Sequence, residues 1–231
     1  MDQKEFALIV AGGKGTRMDS TTPKQFMEMD GRPVLFHTLD AFLRYSPTLP
    51  IVLVLPVEDV VTWHKLVQQH QYNHRVTIQT GGPTRFQSVK RGLEKIPGEG
   101  LVAVHDGVRP LVSSDIIGTS FRLARVHQSA VAAVELKESI RMVAGIPKGS
   151  REKSQAMDRS AFRIIQTPQT FNLELIRKAY QVKEDSQMTD DASVVERTGH
   201  AVTLFEGSYD NIKITTAADL IIAEALLKRK G

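Results

Sequence analysis

The chain has 231 residues, 41% apolar and 24% charged, with a formal net charge of +4 and no cysteine. That size and apolar content can bury the core of one large α/β domain or two small ones. The lack of cysteine excludes a disulfide framework, a thiolate metal site and a cysteine nucleophile.

The first apolar run, Phe6 to Ala11, reads as a buried strand that leads straight into glycines, unlike a signal peptide. The loop Ala11-Gly12-Gly13-Lys14-Gly15-Thr16-Arg17-Met18 follows it directly. In an open parallel sheet, ligands bind at the carboxyl ends of strands. Glycines there let backbone N–H groups approach phosphate oxygens, and Lys14 and Arg17 add charge where a triphosphate would lie. A Walker A loop is excluded because Gly15, not Ser or Thr, follows Lys14. A dinucleotide fingerprint is excluded because Met18 stands where its third glycine belongs. A third cation, Lys24, follows Pro23, which fixes the backbone of the next turn.

Helical spacing of apolar residues over Leu35 to Tyr45, then a strand over Ile51 to Leu55, begin a regular alternation. A helix over Glu58 to His70 and a strand over Val76 to Gln79 continue it. Strand three ends in a second glycine turn, Gly81-Gly82, with Arg85 and Ser88 on the first turns of a helix over Thr84 to Lys95. This pattern suits a plain capped helix start, or backbone and side-chain contacts to a nucleobase. The next strand, Leu101 to Val104, ends in His105-Asp106-Gly107-Val108-Arg109-Pro110. Asp106 is placed to hold Mg2+ against phosphate oxygens, with Arg109 to orient it, unless the segment is an ordinary Asp-Gly turn.

A helix over Ser114 to His127 and a strand over Ala130 to Val134 follow. Residues 137–165 break the rhythm: two β-like stretches flank Gly145, Pro147, Gly149 and Ser150, as in a hairpin arm. Thr189 is expected to cap a helix with Asp190 and Asp191 in its first turn and Gly199 past its end. Strands over Ala201 to Phe205 and Asn211 to Ile214 come next, the latter carrying Lys213. Thr216 and Asp219 form a capping-box pattern before the last helix. Strands alternating with helices predict an α/β fold, a mainly parallel twisted sheet flanked by helices, as one domain over residues 1–231 with the arm inserted at 137–165. Lys and Arg are spread along the chain, and no apolar run reaches the ~18 residues of a membrane span, so neither nucleic acid nor membrane is an expected partner. A cytoplasmic location is expected.

Seven blocks together resemble the 2-C-methyl-D-erythritol 4-phosphate cytidylyltransferase family: AGGKGTRM (11–18), PKQF (23–26), GG-x-x-R-x-x-S (81–88), HDGVRP (105–110), DRSAFRIIQTPQ (158–169), TDDASVVE (189–196) and DNIKIT (210–215). The resemblance spans essentially the whole chain and implies a Rossmann-like nucleotidyltransferase fold, a protruding β-hairpin arm and a homodimer formed through it. It implies transfer of CMP from CTP to a small polyol phosphate with Mg2+ as cofactor. By resemblance, Arg17 and Lys24 are catalytic. Ala11, Gly12, Gly13, Lys14, Gly82, Arg85, Ser88 and Asp106 contact CTP, and Asp106 also holds the metal. Arg159, Lys213, Ser139 and Thr167 bind the acceptor phosphate. This chain has Val10-Ala11-Gly12-Gly13 where the family often has Pro-Ala-Ala-Gly, and Asp106-Gly107-Val108-Arg109 where it often has Asp-Ala-Ala-Arg. The first loop also resembles ribitol 5-phosphate cytidylyltransferases, so that acceptor stays open, as does a non-catalytic nucleotide- or RNA-binding module.

Overall fold

A computed structural model of the chain describes residues 3–12, 22–143 and 153–230. Its elements in chain order are β1 (Glu5–Val10), β2 (Glu28–Met29), β3 (Arg32–Pro33), α1 (Val34–Tyr45), β4 (Ile51–Leu55), α2 (Val60–Gln69), β5 (Thr77–Thr80), α3 (Arg85–Leu93) and β6 (Leu101–Asp106). Then follow α4 (Ser114–His127), β7 (Ser129–Glu135), β8 (Ile140–Val143), β9 (Ser154–Met157), β10 (Arg163–Asn172), α5 (Leu173–Ala179), α6 (Asp191–Glu196), β11 (Leu204–Glu206) and α7 (Ala217–Lys230).

Seven strands form one sheet in the order β11-β7-β10-β6-β1-β4-β5. Every neighbouring pair is parallel except the two made by β10. The central strands are apolar on both faces because helices cover both. Alternation along each strand sorts the side chains. Ala7, Ile9, Leu53, Leu55 and Ala103 pack with Phe36, Leu39 and Phe42 of α1, Trp63 of α2 and Phe121 of α4. Leu8, Val10, Val52, Val54, Val102 and Val104 pack on the opposite side, with Val89 of α3, Ile176 of α5 and Val195 of α6. Helix α7 closes a third, smaller cluster through Ala223 and Leu227, against Met29, Leu111 and Ile214.

The doubly covered, mainly parallel sheet is as expected from the alternation, and so is a hairpin in the arm, where β8 and β9 pair antiparallel. Residues 144–152 at its tip lie outside the described residues. Three expectations need correction. First, residues 163–165 are not arm but the start of β10, which inserts antiparallel between β6 and β7. Pro168 concealed this strand; it lies where the register with β7 shifts between Ile165 and Gln169, so its missing N–H leaves no gap in a regular ladder. Second, Asn211 to Ile214 forms no strand. Its backbone is held by the loop after β6: Ile214 N–H donates to Val108 O, and Asn211 O accepts from Arg109 Nη1 at 2.8 Å. Third, Asp190, not Thr189, caps α6, in a reciprocal box with Ser193. At α7 the expected box forms: Thr216 N–H donates to Asp219 Oδ2 at 2.8 Å and Asp219 N–H to Thr216 Oγ1 at 3.3 Å.

Candidate active site

The carboxyl ends of four adjacent strands are sewn together by backbone bonds. Ala11 N–H donates to Val54 O, Gly81 N–H to Leu55 O and Gly107 N–H to Val10 O, at 2.8–2.9 Å. The start of the first glycine loop, Ala11-Gly12, and the Gly81-Gly82 turn therefore lie at the same end of the sheet. A Cβ added to Gly81 would fall 2.7 Å from Ser88 Oγ and 3.3 Å from Val54 Cγ1, so a larger residue there would push on the Ser88 hydroxyl. Ser88 Oγ accepts from Gly82 N–H at 3.1 Å and donates to Thr84 O at 2.9 Å, locking the turn to the N-terminus of α3. Gly12 faces the same hydroxyl, with its Cβ position 3.9 Å from Ser88 Oγ. The structure thus brings Ala11, Gly12, Gly82 and Ser88 together. Gly13, Lys14 and Arg17 lie outside the described residues.

Asp106 ends β6 beside these turns. Its Oδ2 is 3.1 Å from Lys213 Nζ and 3.2 Å from Arg109 Nε, and its Oδ1 is 3.8 Å from Arg85 Nε. Burial alone would raise this carboxyl, but Arg85, Lys213 and Arg109 outweigh burial and hold it well below the usual carboxylate range. Asp106 is therefore an acceptor-only anion at neutral pH. Arg85 is shared: its guanidinium makes a bidentate pair with Asp191, at 2.9 and 2.6 Å. Burial would lower Arg85, but Asp191 more than offsets this and keeps the guanidinium charged. Asp191 is fully buried and also accepts from Tyr180 Oη at 2.6 Å.

Below Asp106 runs a buried polar chain. Thr167 Oγ1 accepts from Asp106 N–H at 3.1 Å and sits 3.0 Å from His105 Nδ1. His105 Nε2 is 3.1 Å from Arg109 O, a carbonyl that can only accept. The proton must then be on Nε2, and Nδ1 accepts from the Thr167 hydroxyl. Burial pushes the His105 imidazole down to about 4, consistent with this neutral ring. Asn211 Nδ2 donates to Thr167 O at 2.8 Å, so the segment carrying Lys213 is tied to the same strand.

The structure brings Arg109, Thr167 and Lys213 together around Asp106; the end of that strand suggests Asp106 and Arg109, whereas Thr167 and Lys213 are placed there by the family resemblance. Lys24 is half-buried on a three-residue 3-10 turn, Lys24–Phe26, after the glycine loop. Arg159 and Ser139 sit on the arm, where Arg159 Nη1 donates to Lys137 O. Asp191, Tyr180 and Asn211 were not anticipated as parts of the site. The Asp190-Asp191 pair was the available signal, since one of two adjacent acids at a helix start caps and the other must point elsewhere.

Among the described residues no cluster of three metal-ligating side chains occurs. Asp106 alone suits Mg2+, which is commonly held by one or two carboxylates together with substrate phosphates and water. Among the described residues its Oδ1 is approached by Arg85 Nε at 3.8 Å. Three cations (Arg85, Arg109, Lys213) face two carboxylates (Asp106, Asp191) here. A site of this kind, beside glycine turns and a helix N-terminus, accommodates anionic ligands.

The model of the 2-C-methyl-D-erythritol 4-phosphate cytidylyltransferase family matches residues 6–229. A relative of that name from Bacteroides thetaiotaomicron is 44% identical, over 97% of this chain and 100% of its own length. One from Bacteroides fragilis is 44% identical, over 96% and 98%. Among solved structures, 4-diphosphocytidyl-2C-methyl-D-erythritol synthase from Anaerococcus prevotii superposes with a TM-score of 0.80 at 29% identity, covering 98% of this chain and 97% of that one. The 2-C-methyl-D-erythritol 4-phosphate cytidylyltransferase of Thermus thermophilus gives 0.74 at 30% identity, covering 99% and 100%.

Proposed function

The chain belongs to the 2-C-methyl-D-erythritol 4-phosphate cytidylyltransferase family, and from that membership we infer its reaction: it transfers CMP from CTP to 2-C-methyl-D-erythritol 4-phosphate. The products are 4-diphosphocytidyl-2-C-methyl-D-erythritol and pyrophosphate, a step in isoprenoid precursor biosynthesis. The observation that supports this most directly is Asp106, ionised and ringed by Lys213, Arg109 and Arg85 at the strand ends that carry Ala11-Gly12 and the Gly81-Gly82 turn.

The acceptor's phosphate has its second pKa near ~6, so its oxygen is already an anionic nucleophile at neutral pH. No general base is required, and the neutral, buried His105 is not one. The difficulty is to bring two anions together. The Ala11-Gly12 segment and the Gly81-Gly82 turn, which Ser88 orders, form the surface that holds the nucleotide. Lys213, 44% exposed at the edge of the cluster, meets the acceptor phosphate. Arg17, Lys14 and Lys24 are assigned to the charge that grows at the α-phosphorus, as in other phosphoryl transfers. Asp106 would hold Mg2+, which when bound neutralises phosphate charge. Arg109, itself tied to Asn211 O, keeps Asp106 in place.

The chain is proposed to work as a homodimer in the cytoplasm. The arm and its base expose Met142, Val143, Phe162, Ile164 and Ile165, each at least 36% accessible, which is apolar area a partner subunit would cover. Arg159 and Ser139 ride on that arm, and in the dimer they would complete the acceptor site. The deciding assay is pyrophosphate release with CTP and Mg2+ across a panel of acceptors. Turnover with 2-C-methyl-D-erythritol 4-phosphate far above that with ribitol 5-phosphate is expected, and equal or reversed preference would refute the assignment.

A further inference from the structure

We propose that Gln25 and Asp59 are positioning residues for the transfer step, their buried hydrogen bond setting the direction in which the turn carries Lys24. The proposal rests on the role given to Lys24 above. Gln25 Nε2 donates to Asp59 Oδ2 at 2.7 Å, and the two residues are 2% and 7% exposed.

The turn cannot hold itself. It spans three residues, with Phe26 N–H donating to Pro23 O at 2.9 Å and Met27 N–H to Lys24 O at 3.3 Å. So short a 3-10 segment has little stability of its own. Two of its side chains are buried and attach it to the fold. Phe26 enters the core beside Phe36 and Leu39, and Gln25 reaches Asp59 across 34 positions of sequence. Asp59 closes the turn Val57–Asp59 immediately after Pro56, hence just past the carboxyl end of β4. Strand β4 lies between β1 and β5, whose ends bear the two glycine turns. The lysine turn is thus fastened to the same strand ends that form the nucleotide site.

A polar pair is a poor choice if adhesion were its sole purpose. Burial raises the Asp59 carboxyl, with the Gln25 bond opposing that shift, so the group is held at a desolvation cost. An apolar pair of similar size would hold the turn at least as firmly. What a hydrogen bond adds is direction: it limits rotation of the turn about the Phe26 anchor, which a slippery apolar contact does not. Neither side chain needs to touch substrate for this to matter. An error of about 1 Å at a reacting group can cost on the order of 10²-fold in rate.

The test uses steady-state kinetics and thermal unfolding of Gln25→Ala, Asp59→Ala, the double variant and Asp59→Asn, with Lys24→Ala in parallel. Gln25→Ala and Asp59→Ala are each expected to lower kcat about 10- to 100-fold, with both KM values changed less than about threefold. The double variant should lose no more than the worse single, since both remove one bond. Asp59→Asn keeps an acceptor oxygen and should restore nearly all turnover. Should Asp59→Ala fail to fold, Gln25→Ala against Asp59→Asn carries the comparison. Unchanged kcat in Gln25→Ala, losses that multiply in the double variant, or a defect confined to KM would overturn the proposal. Loss of turnover in Lys24→Ala alone would sink this inference and spare the lysine assignment. Full turnover in Lys24→Ala would remove both.

Discussion

Replacing Lys213 by alanine separates a structural role from a substrate-binding one. Its ammonium is 3.1 Å from Asp106, yet the side chain is 44% exposed, so solvent screens the pair. Exposed ion pairs contribute about 0–1 kcal/mol. Asp106 also keeps Arg109 at 3.2 Å and Arg85 at 3.8 Å, so its charge is not stranded. For a chain of this size, 1 kcal/mol moves Tm by only about 2–4 °C. The loss on the substrate side is larger. A hydrogen bond from a cation to a phosphate oxygen is worth about 1.5–3 kcal/mol, which corresponds to roughly 10- to 100-fold in affinity. The expected result is a 10- to 100-fold rise in KM for 2-C-methyl-D-erythritol 4-phosphate, KM for CTP nearly unchanged, and Tm lowered by at most about 4 °C. Pyrophosphate release at saturating CTP and differential scanning fluorimetry measure both. An unchanged acceptor KM, or a defect confined to CTP, would refute the placement of Lys213 on the acceptor.

Three further outcomes follow from the buried groups. His105 titrates at 6.5 when unfolded and at about 4 when folded. The unfolded chain therefore binds more protons between these values, and stability falls as pH drops from about 6.5 to 4. The size is roughly 3 kcal/mol. Urea unfolding across that range should show the slope in the parent chain and a flatter one in His105→Gln; identical slopes would contradict the burial argument. Asp191→Ala removes the bidentate partner of Arg85, leaving Asp106 at 3.8 Å, and strands the Tyr180 hydroxyl; it should cost about 3–5 kcal/mol in urea unfolding. A loss below 1 kcal/mol would show that water or another group replaces the carboxylate. Gly107→Ala places a Cβ 2.8 Å from the Ala11 Cβ, so the entrance to the first glycine turn must shift. KM for CTP should rise while acceptor KM holds, and an unmoved CTP KM would count against Ala11 as part of the nucleotide site.

Much of the site was legible because it sits where continuous apolar runs stop. Asp106, Arg109 and the Gly81-Gly82 turn follow strands whose ends are obvious from composition, and in a parallel sheet such ends converge. The roles of Arg17 and Lys24 came through family likeness rather than through spacing. Misreadings share one cause, local signals weighed without their partners. Pro168 argues against an internal strand until the register shift beside it is known. The apolar alternation around Lys213 suggests a strand, but Arg109 and Val108 take the backbone groups a neighbouring strand would need. Asp191 looks like a helix-start acid until it is seen fully buried under Arg85 and Tyr180.

Periodicity, glycine and proline positions and capping residues by themselves determined the layer order, the parallel character of most of the sheet and the presence of a hairpin arm. These are short-range properties, since an apolar repeat records which face of each element leaves water. Tertiary structure alone decided that β10 enters between β6 and β7, that residues 85, 109 and 213 meet at Asp106, and that Gln25 finds Asp59. Such meetings depend on register and packing between segments tens of residues apart. No repeat along the chain encodes them, because the free energy that selects them arises only once the core has closed.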